Sequence, residues 1–354
     1  MNNINAIKFI SEGASTISLN KEGEPSSVSL EYSYDGANWN TWNLCSLKIN
    51  SGDTLYIRGN NPSGFSSDPL AYYRFIIEGD DVNCSGNIMS LIDYENLPDV
   101  IPNDYCFYGL FENCDALTTT PELSATKLAD CCYSYMFYGC SSLKSAPELP
   151  ATTLAKQCYG CMFSGCTSLT TAPELPTTEL AEYCYRYMFK NCTSLATAPE
   201  LPAIKLVDGC YYQMFSGCSS LKTAPELPAT ELAEYCYSYM FSECTSLVKA
   251  PELPAKTLAD WCYAYMFSYC TSLKTTPELP ATKLADNCYY RMFNSCTSLK
   301  NAPELPVKVM TDVCYSCMFS GCSFLTNEPN ELADDVYTAF QGCTMLKDNK
   351  WTEF

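Results

Sequence analysis

Residues 152–177 read TTLAKQCYGCMFSGCTSLTTAPELPT, and this 26-residue unit recurs with few changes along most of the 354-residue chain. A phenylalanine marks the phase of the repeat, because one occurs every 26 residues and a last one follows after 21. The series comprises Phe111, Phe137, Phe163, Phe189, Phe215, Phe241, Phe267, Phe293, Phe319 and Phe340. A fixed period of this length without insertions is typical of a solenoid, whose units bury their apolar faces against one another.

The first half of the unit carries a helix-like pattern. Leu154, Cys158 and Met162 are apolar at i, i+4 and i+8, and such spacing predicts a helix of roughly three turns. A threonine at 152–153 is suited to cap the start of this helix. Gly165 is suited to the left-handed conformation that follows a helix end.

The second half of the unit is predicted to be extended, because Pro173 and Pro176 are incompatible with a helix interior. Since proline cannot donate a backbone hydrogen bond, only very short strands are expected, just before the proline. Stacked strands lie about 4.8 Å apart, whereas packed helices lie about 8–10 Å apart. The predicted fold class is therefore an α/β solenoid of short strand plus helix units, curved with the strands on the concave side.

Residues 1–97 contain no repeat and show the alternation of apolar and polar residues that is typical of strands. The alternating stretches are AIKFISEG, SVSLEYSYDG, SLKINSGDTLYIRG and YYRFIIEG. With turn sequences at 35–36 and 60–61, they predict a small antiparallel β-sandwich. The predicted organisation is a β-sandwich domain at 1–97, a repeat solenoid at 98–322 and a degenerate capping repeat at 323–354. The first domain would either attach the solenoid to something larger or cover its open N-terminal end.

The repeat resembles the BspA-like, Treponema-type leucine-rich repeat. The resemblance is carried by the pattern F-x-x-C-x-x-L and a rung ending in Leu-Pro, as in MFSGCTSLTTAPELP, over residues 105–346. It implies a leucine-rich-repeat array of the kind associated with adhesion in surface proteins of Bacteroidetes, spirochaetes and other host-associated microbes. The chain departs from the common form in its longer unit and in having cysteine where an aliphatic residue is typical. Its N-terminal region resembles, more loosely, the β-rich domain that precedes such repeats in gut Bacteroidetes and their phages.

Nineteen of the 24 cysteines fall in two columns. The first is Cys106, Cys132, Cys158, Cys184, Cys210, Cys236, Cys262, Cys288 and Cys314, and the second is Cys114, Cys140, Cys166, Cys192, Cys218, Cys244, Cys270, Cys296, Cys322 and Cys343. Such columns are compatible with a disulfide-stapled extracellular rod or with small buried hydrophobic residues. Partners within a repeat would be roughly 12 Å apart along a helix, and a disulfide needs Cα atoms within about 7 Å. The geometry therefore favours buried thiols that are mostly free.

Two C-x-x-C pairs, Cys158/Cys161 and Cys314/Cys317, would in isolation indicate redox or zinc chemistry. The second cysteine of each pair, however, occupies a column that often holds tyrosine, so drift of the repeat is the preferred interpretation. No metal site is predicted.

The composition restricts the partners and the chemistry. A net charge of −19 argues against nucleic acid and anionic lipid as partners, and no apolar run is long enough to insert across a membrane. The chain has no histidine, which removes the commonest general base and every His-containing zinc site. We therefore predict no enzymatic activity and no cofactor.

A glutamate follows each repeat proline, which predicts a ladder of like charges that we interpret as solvated rather than as a row of cation sites. The ladder is Glu122, Glu148, Glu174, Glu200, Glu226, Glu252, Glu278 and Glu304.

Aromatic residues indicate where a partner could bind. The column that contains Tyr133 is nearly invariant, which predicts packing residues, whereas two neighbouring columns vary and are predicted to face solvent. Exposed tyrosine and tryptophan could grip protein or sugar. The candidate binding residues are Tyr183, Tyr235 and Trp261 in the first variable column, and Tyr187, Tyr239 and Tyr265 in the second. Both columns fall on the predicted helix and hence on the convex side, and drift without function is the alternative.

These patterns predict a non-catalytic recognition or adhesion protein that presents its repeat surface to a protein or glycan partner on a cell surface. Its predicted location is extracellular, on a bacterial surface or a virion. The first 20 residues lack the features of a secretion signal, so either the chain is not exported by that route or a signal has been removed. The missing signal favours the virion location, in which the protein is an adhesin-like component of a phage, provided that Met1 is native.

Two other functions stay open. One is a structural spacer or virion component, such as a phage tail or head fibre, assembled through the N-terminal domain. The other is a carbohydrate-active enzyme within that domain, although no pair of acids with a cleft can be identified.

Overall fold

The computed structural model describes residues 4–305, 313–327 and 337–346. The chain divides into two compact units, residues 1–174 and 175–354. Much of the predicted capping repeat at 323–354 lies outside the described residues.

The N-terminal region consists of two mainly antiparallel sheets. The strands of the first unit are β1 (Ile7–Ser11), β2 (Ser15–Glu22), β3 (Leu30–Ser33), β4 (Asn40–Thr41), β5 (Leu47–Ile49), β6 (Thr54–Gly59), β7 (Tyr72–Gly79), β8 (Val82–Ser85) and β9 (Leu117–Thr119), with a 3-10 helix at Ile88–Leu91. One sheet has the order β4-β3-β6-β1-β8-β9, and the other has the order β5-β2-β7. Each predicted stretch contains at least one strand, whereas β2, β4 and β8 lie outside those stretches. Phe9 and Phe75 join the two sheets with ring centroids 5.4 Å apart, and closure into a sandwich stays a prediction.

The first repeat continues directly from these sheets. Strand β9 pairs in parallel with β8, and the N–H of Phe75 donates to the carbonyl of Leu110 at 2.8 Å. The rings of Phe75 and Phe111 are stacked with centroids 5.0 Å apart. Of the two roles left open for the N-terminal region, these contacts support the covering of the first repeat.

The prediction of a helix in each repeat is wrong, because the described residues contain no α-helix. Residues 155–166 and their equivalents form instead what we call the turn ribbon. Alternate N–H groups bond within the ribbon, as Cys158 does to the carbonyl of Ala155 at 3.3 Å. The others bond to the next repeat, as Tyr133 does to the carbonyl of Cys158 at 3.0 Å. An α-helix uses its N–H groups internally and cannot pair sideways in this way.

Every fourth residue of the turn ribbon is left-handed. Gln157, Cys161 and Gly165 have φ values of 53°, 56° and 79°. The left-handed conformation predicted for Gly165 is therefore present, although no helix ends there. The apolar spacing in the sequence is also four, not the alternation of three and four that a helical stripe requires. This strict spacing of four was the signal that the helical interpretation missed.

Adjacent ribbons are spaced like strands. Five N–H to carbonyl bonds of 2.8–3.0 Å join residues 131–139 to the next repeat. Within the second unit, the phenylalanine rings from Phe189 to Phe319 stack with centroids 5.5–5.8 Å apart. Curvature was predicted because packed helices are spaced more widely than stacked strands. The described residues contain no α-helix, so this argument for curvature does not apply.

The proline side of the repeat has the very short strands that the sequence predicts. Ser145 pairs with Thr171, and Thr223 pairs with Lys249, as single parallel bridges. Each bridge lies two residues before a proline, where the hydrogen-bond ladder stops because proline has no N–H.

The cysteines of the second column act as hydrogen-bond donors. All 19 column cysteines are buried, as predicted. The Sγ of Cys218 donates to the carbonyl oxygen of Phe189 in the preceding repeat at 3.1 Å. The same bond recurs at Cys140, Cys166, Cys244, Cys270, Cys296, Cys322 and Cys343, at 3.0–3.2 Å. An S–H group links adjacent repeats where an aliphatic side chain could not, and burial raises the pKa of Cys218 to about 12, which keeps the proton in place.

The thiol bond predicts a ranking of substitutions at Cys218. Cys218→Ala removes both the donor and buried volume, and should cost about 1–3 kcal/mol of unfolding free energy. Cys218→Ser keeps a donor and should cost less. Urea unfolding under reducing conditions measures both, with the exposed Cys45→Ala as a control that leaves the midpoint unchanged. An alanine variant as stable as the serine variant would show that the thiol serves only as a filler.

The left-handed positions predict a stabilising substitution. Glu243 is exposed at φ 63°, in the column that holds Gly217 in the preceding repeat. A left-handed conformation costs a non-glycine residue about 1–2 kcal/mol, part of which the flexibility of glycine in the unfolded chain offsets. Glu243→Gly should therefore raise the unfolding free energy by about 0.5–1 kcal/mol. The control is Glu252→Gly, which makes the same charge change at an exposed position without positive φ and should lower the unfolding free energy. If both variants changed the unfolding free energy equally, the left-handed conformation of Glu243 would not be the cause.

Candidate functional site

The structure places all six predicted binding residues at left-handed positions of turn ribbons in the second unit, with φ between 54° and 57°. They are half-buried. Since the ribbon is not helical, the prediction that they lie on a helix is wrong. Their variation in the sequence reflects partial exposure at positions where the backbone is constrained.

Four of the six residues are brought into two stacked pairs. The ring centroids of Tyr239 and Tyr265 lie 4.2 Å apart, and the ring planes meet at an angle of 10°. The rings of Tyr235 and Trp261 lie 5.8 Å apart at 21°. The members of each pair come from adjacent repeats, so repeat stacking creates both pairs.

Two further tyrosines, which the sequence reasoning missed, connect these pairs to the rest. Tyr212 makes edge contacts with Tyr187 at 5.3 Å and with Tyr235 and Tyr239 at 6.1 Å. Tyr290 makes edge contacts with Trp261 at 5.9 Å and with Tyr265 at 5.2 Å.

Both missed tyrosines occupy the column between the two predicted columns. This middle column also varies, through Arg186, Tyr212, Ser238, Ala264 and Tyr290. Its variation was the signal that could have identified it.

Small residues in the middle column allow the close stacking. Ser238 is 1% exposed and Ala264 is fully buried. They belong to the two repeats that contribute the stacked pairs, and a small side chain there leaves room for the rings to meet. Where the middle column is a tyrosine, that ring inserts edge-on instead.

Positively charged side chains lie close to several of these rings. The guanidinium of Arg186 lies 4.6 Å from the ring centroid of Tyr187 and 5.6 Å from that of Tyr212. The guanidinium of Arg291 lies 5.4 Å from the centroid of Tyr290 and 5.8 Å from that of Tyr265. Contacts of this kind contribute about 0.5–1 kcal/mol each at exposed sites. The ammonium group of Lys190 lies 5.0 Å from the ring centroid of Tyr187. We call the combined surface the aromatic belt, formed by Tyr183, Arg186, Tyr187, Lys190, Tyr212, Tyr235, Tyr239, Trp261, Tyr265, Tyr290 and Arg291.

Acidic residues border the aromatic belt. Glu234 and Asp260 are exposed and directly precede Tyr235 and Trp261. Burial, followed by the charge of Glu234, raises the pKa of Tyr235. The phenol therefore stays protonated at neutral pH and can donate a hydrogen bond.

The proline side carries a different surface. Shallow grooves of about 640 Å³ and about 490 Å³ lie between 119–124 and 145–150 and between 223–228 and 249–254. Both are lined by alanine, proline and leucine, with two glutamates each. All eight glutamates of the ladder are exposed, as expected for solvated charges.

Other predicted features are placed as follows. Cys161 and Cys317 occupy left-handed positions equivalent to that of Tyr187, which agrees with repeat drift. Within the described ranges, no group of three or more Cys, Asp or Glu residues could hold a metal ion. No helix in the described part of the chain has the length and apolar character needed to cross a membrane.

Comparison with known proteins identifies the repeats. No protein of curated function and no solved structure matches the chain significantly. The family model described as "BspA type Leucine rich repeat region" matches in six copies, over residues 103–225, 132–274 and 211–326. These matches cover more than half of the chain and coincide with the F-x-x-C-x-x-L repeats. The chain therefore belongs to the BspA-type leucine-rich-repeat family.

Proposed function

We propose that this protein is a non-catalytic recognition protein that binds a protein partner through the aromatic belt. Membership of the repeat family suggests a protein-binding or adhesion role. The observation that carries the proposal is the continuous half-buried surface of seven tyrosines and one tryptophan with two of the chain's four arginines. Tyrosine, tryptophan and arginine are the residues that dominate binding energy in protein interfaces.

The ring geometry favours a protein over a glycan. A sugar ring stacks on an open aromatic face, whereas Tyr239 and Tyr265 cover one face of each other at 4.2 Å. Tyr235 and Trp261 are likewise stacked. The surface offers ring edges, hydroxyl groups and cations, which suit hydrogen bonding to a protein partner.

The setting that we propose is extracellular, on a bacterial cell surface or on a virion. In this proposal residues 1–97 form a β-sandwich domain that covers the first repeat. A structural spacer or virion component assembled through the same domain is the alternative, and it requires no binding by the repeats.

The test uses substitutions that the chain itself tolerates at equivalent positions. Trp261→Asn introduces the residue found at Asn287, and Tyr265→Gln introduces the residue found at Gln213. Loss of central interface aromatics should weaken binding roughly 30-fold. The control is Tyr269→Ala, which removes an aromatic ring that is 52% exposed and outside the belt.

The measurement is binding of the labelled full chain to intact gut Bacteroidetes cells and to surfaces coated with mucin or matrix proteins. Unfolding midpoints confirm that the variants are folded. Protease treatment of the bound surface should abolish binding, and periodate oxidation of its sugars should not. Binding that both belt variants leave unchanged would refute the proposed surface, and an absence of binding in every format would favour the spacer.

A further inference from the structure

The two ends of the aromatic belt already hold arginine. Arg186 lies within 6 Å of three tyrosine ring centroids, and Arg291 lies within 6 Å of two. The rings of the belt are therefore arranged so that a guanidinium group fits against them. The chain itself shows which chemical group these rings accept.

The centre of the belt has the rings without the cation. In the part of the chain that the structure describes, no lysine or arginine lies over the ring of Tyr235, Tyr239 or Trp261. The column position that holds Arg186 two repeats earlier holds Ser238 here, followed by Ala264. The centre therefore has aromatic rings like those at the ends of the belt, but it lacks the arginine that contacts them there.

The charge of the centre is complementary to a cation. Glu234 and Asp260 are exposed beside Tyr235 and Trp261. Neither carboxylate forms an ion pair with another described residue. A carboxylate oxygen of Asp260 accepts the N–H of Asp286 at 3.0 Å, which holds that side chain in place.

We propose that the centre of the belt binds an arginine side chain of a basic protein partner, with Tyr235, Tyr239 and Trp261 contacting the guanidinium and Glu234 and Asp260 accepting its hydrogen bonds. The inference rests on the proposed function, because it specifies the partner of the same surface. A planar guanidinium can contact an aromatic ring and bond a carboxylate with two donors, whereas an ammonium group is a compact, strongly hydrated charge. The net charge of −19 accelerates the approach of a basic partner.

The probes are four short peptides that differ at one kind of residue. Each is a labelled peptide of alternating glycine and a test residue, which is arginine, lysine, citrulline or glutamate. Citrulline keeps the shape of arginine and removes its charge. Fluorescence anisotropy with the full chain should show binding of the arginine peptide, roughly tenfold weaker binding of the lysine peptide, and no binding of the other two.

A charge-matched pair of variants locates the site. Glu234→Lys should weaken binding of the arginine peptide at least tenfold, because it places a cation beside the proposed site. Glu226→Lys makes the same change of net charge at an exposed position in the proline groove and should have a much smaller effect. Trp261→Asn should also weaken binding of the arginine peptide. The citrulline and glutamate peptides should remain unbound.

The outcomes are distinguishable. Equal affinity for the arginine and lysine peptides, equal effects of the two charge variants, or no binding of the arginine peptide would each overturn the inference. If the arginine peptide does not bind but Trp261→Asn still abolishes binding to cells or coated surfaces, the proposed function stands and only the arginine site fails. If neither Trp261→Asn nor Tyr265→Gln changes either measurement, both fail.

Discussion

The repeat structure depends on a left-handed residue at every fourth position of the turn ribbon. This conformation interrupts what would otherwise be a helix, so alternate N–H groups are free to bond to the next repeat. These hydrogen bonds between repeats bring adjacent repeats to the spacing of strands, and that spacing allows the aromatic rings to stack. A helix in the same place would separate the repeats to about 8–10 Å and prevent both.

The composition of the repeat follows from this close spacing. Phe189 and Phe215 stack on one another, and the carbonyl group of Phe189 accepts an S–H bond from Cys218 in the next repeat. Cysteine is small, apolar and able to donate, which suits a buried position between two repeats. The unusual cysteine content is thus a property of the packing, and burial keeps these thiols protonated.

The same constraint creates the surface that we propose for binding. Left-handed positions are costly for most residues, yet Tyr239, Trp261 and Tyr265 occupy them and are stabilised by stacking on their neighbours. The rings are held in place by contacts with neighbouring rings, so little conformational entropy would be lost when a partner binds. A rigid aromatic surface with cations at its ends and carboxylates along its border is well suited to selective recognition of a protein.

The sequence by itself determined the period, the buried columns, the short strands before the prolines, the strand-rich N-terminal region and the six variable aromatic positions, because each depends on local pattern. Only the tertiary structure decided that the apolar spacing of four belongs to a left-handed ribbon, since a single repeat read alone also fits a helix. It likewise added Tyr212, Tyr290 and Arg186 to the candidate site. Those residues join it through contacts between repeats, and a contact between residues 23–29 positions apart in the chain becomes visible only when the stacking register is known.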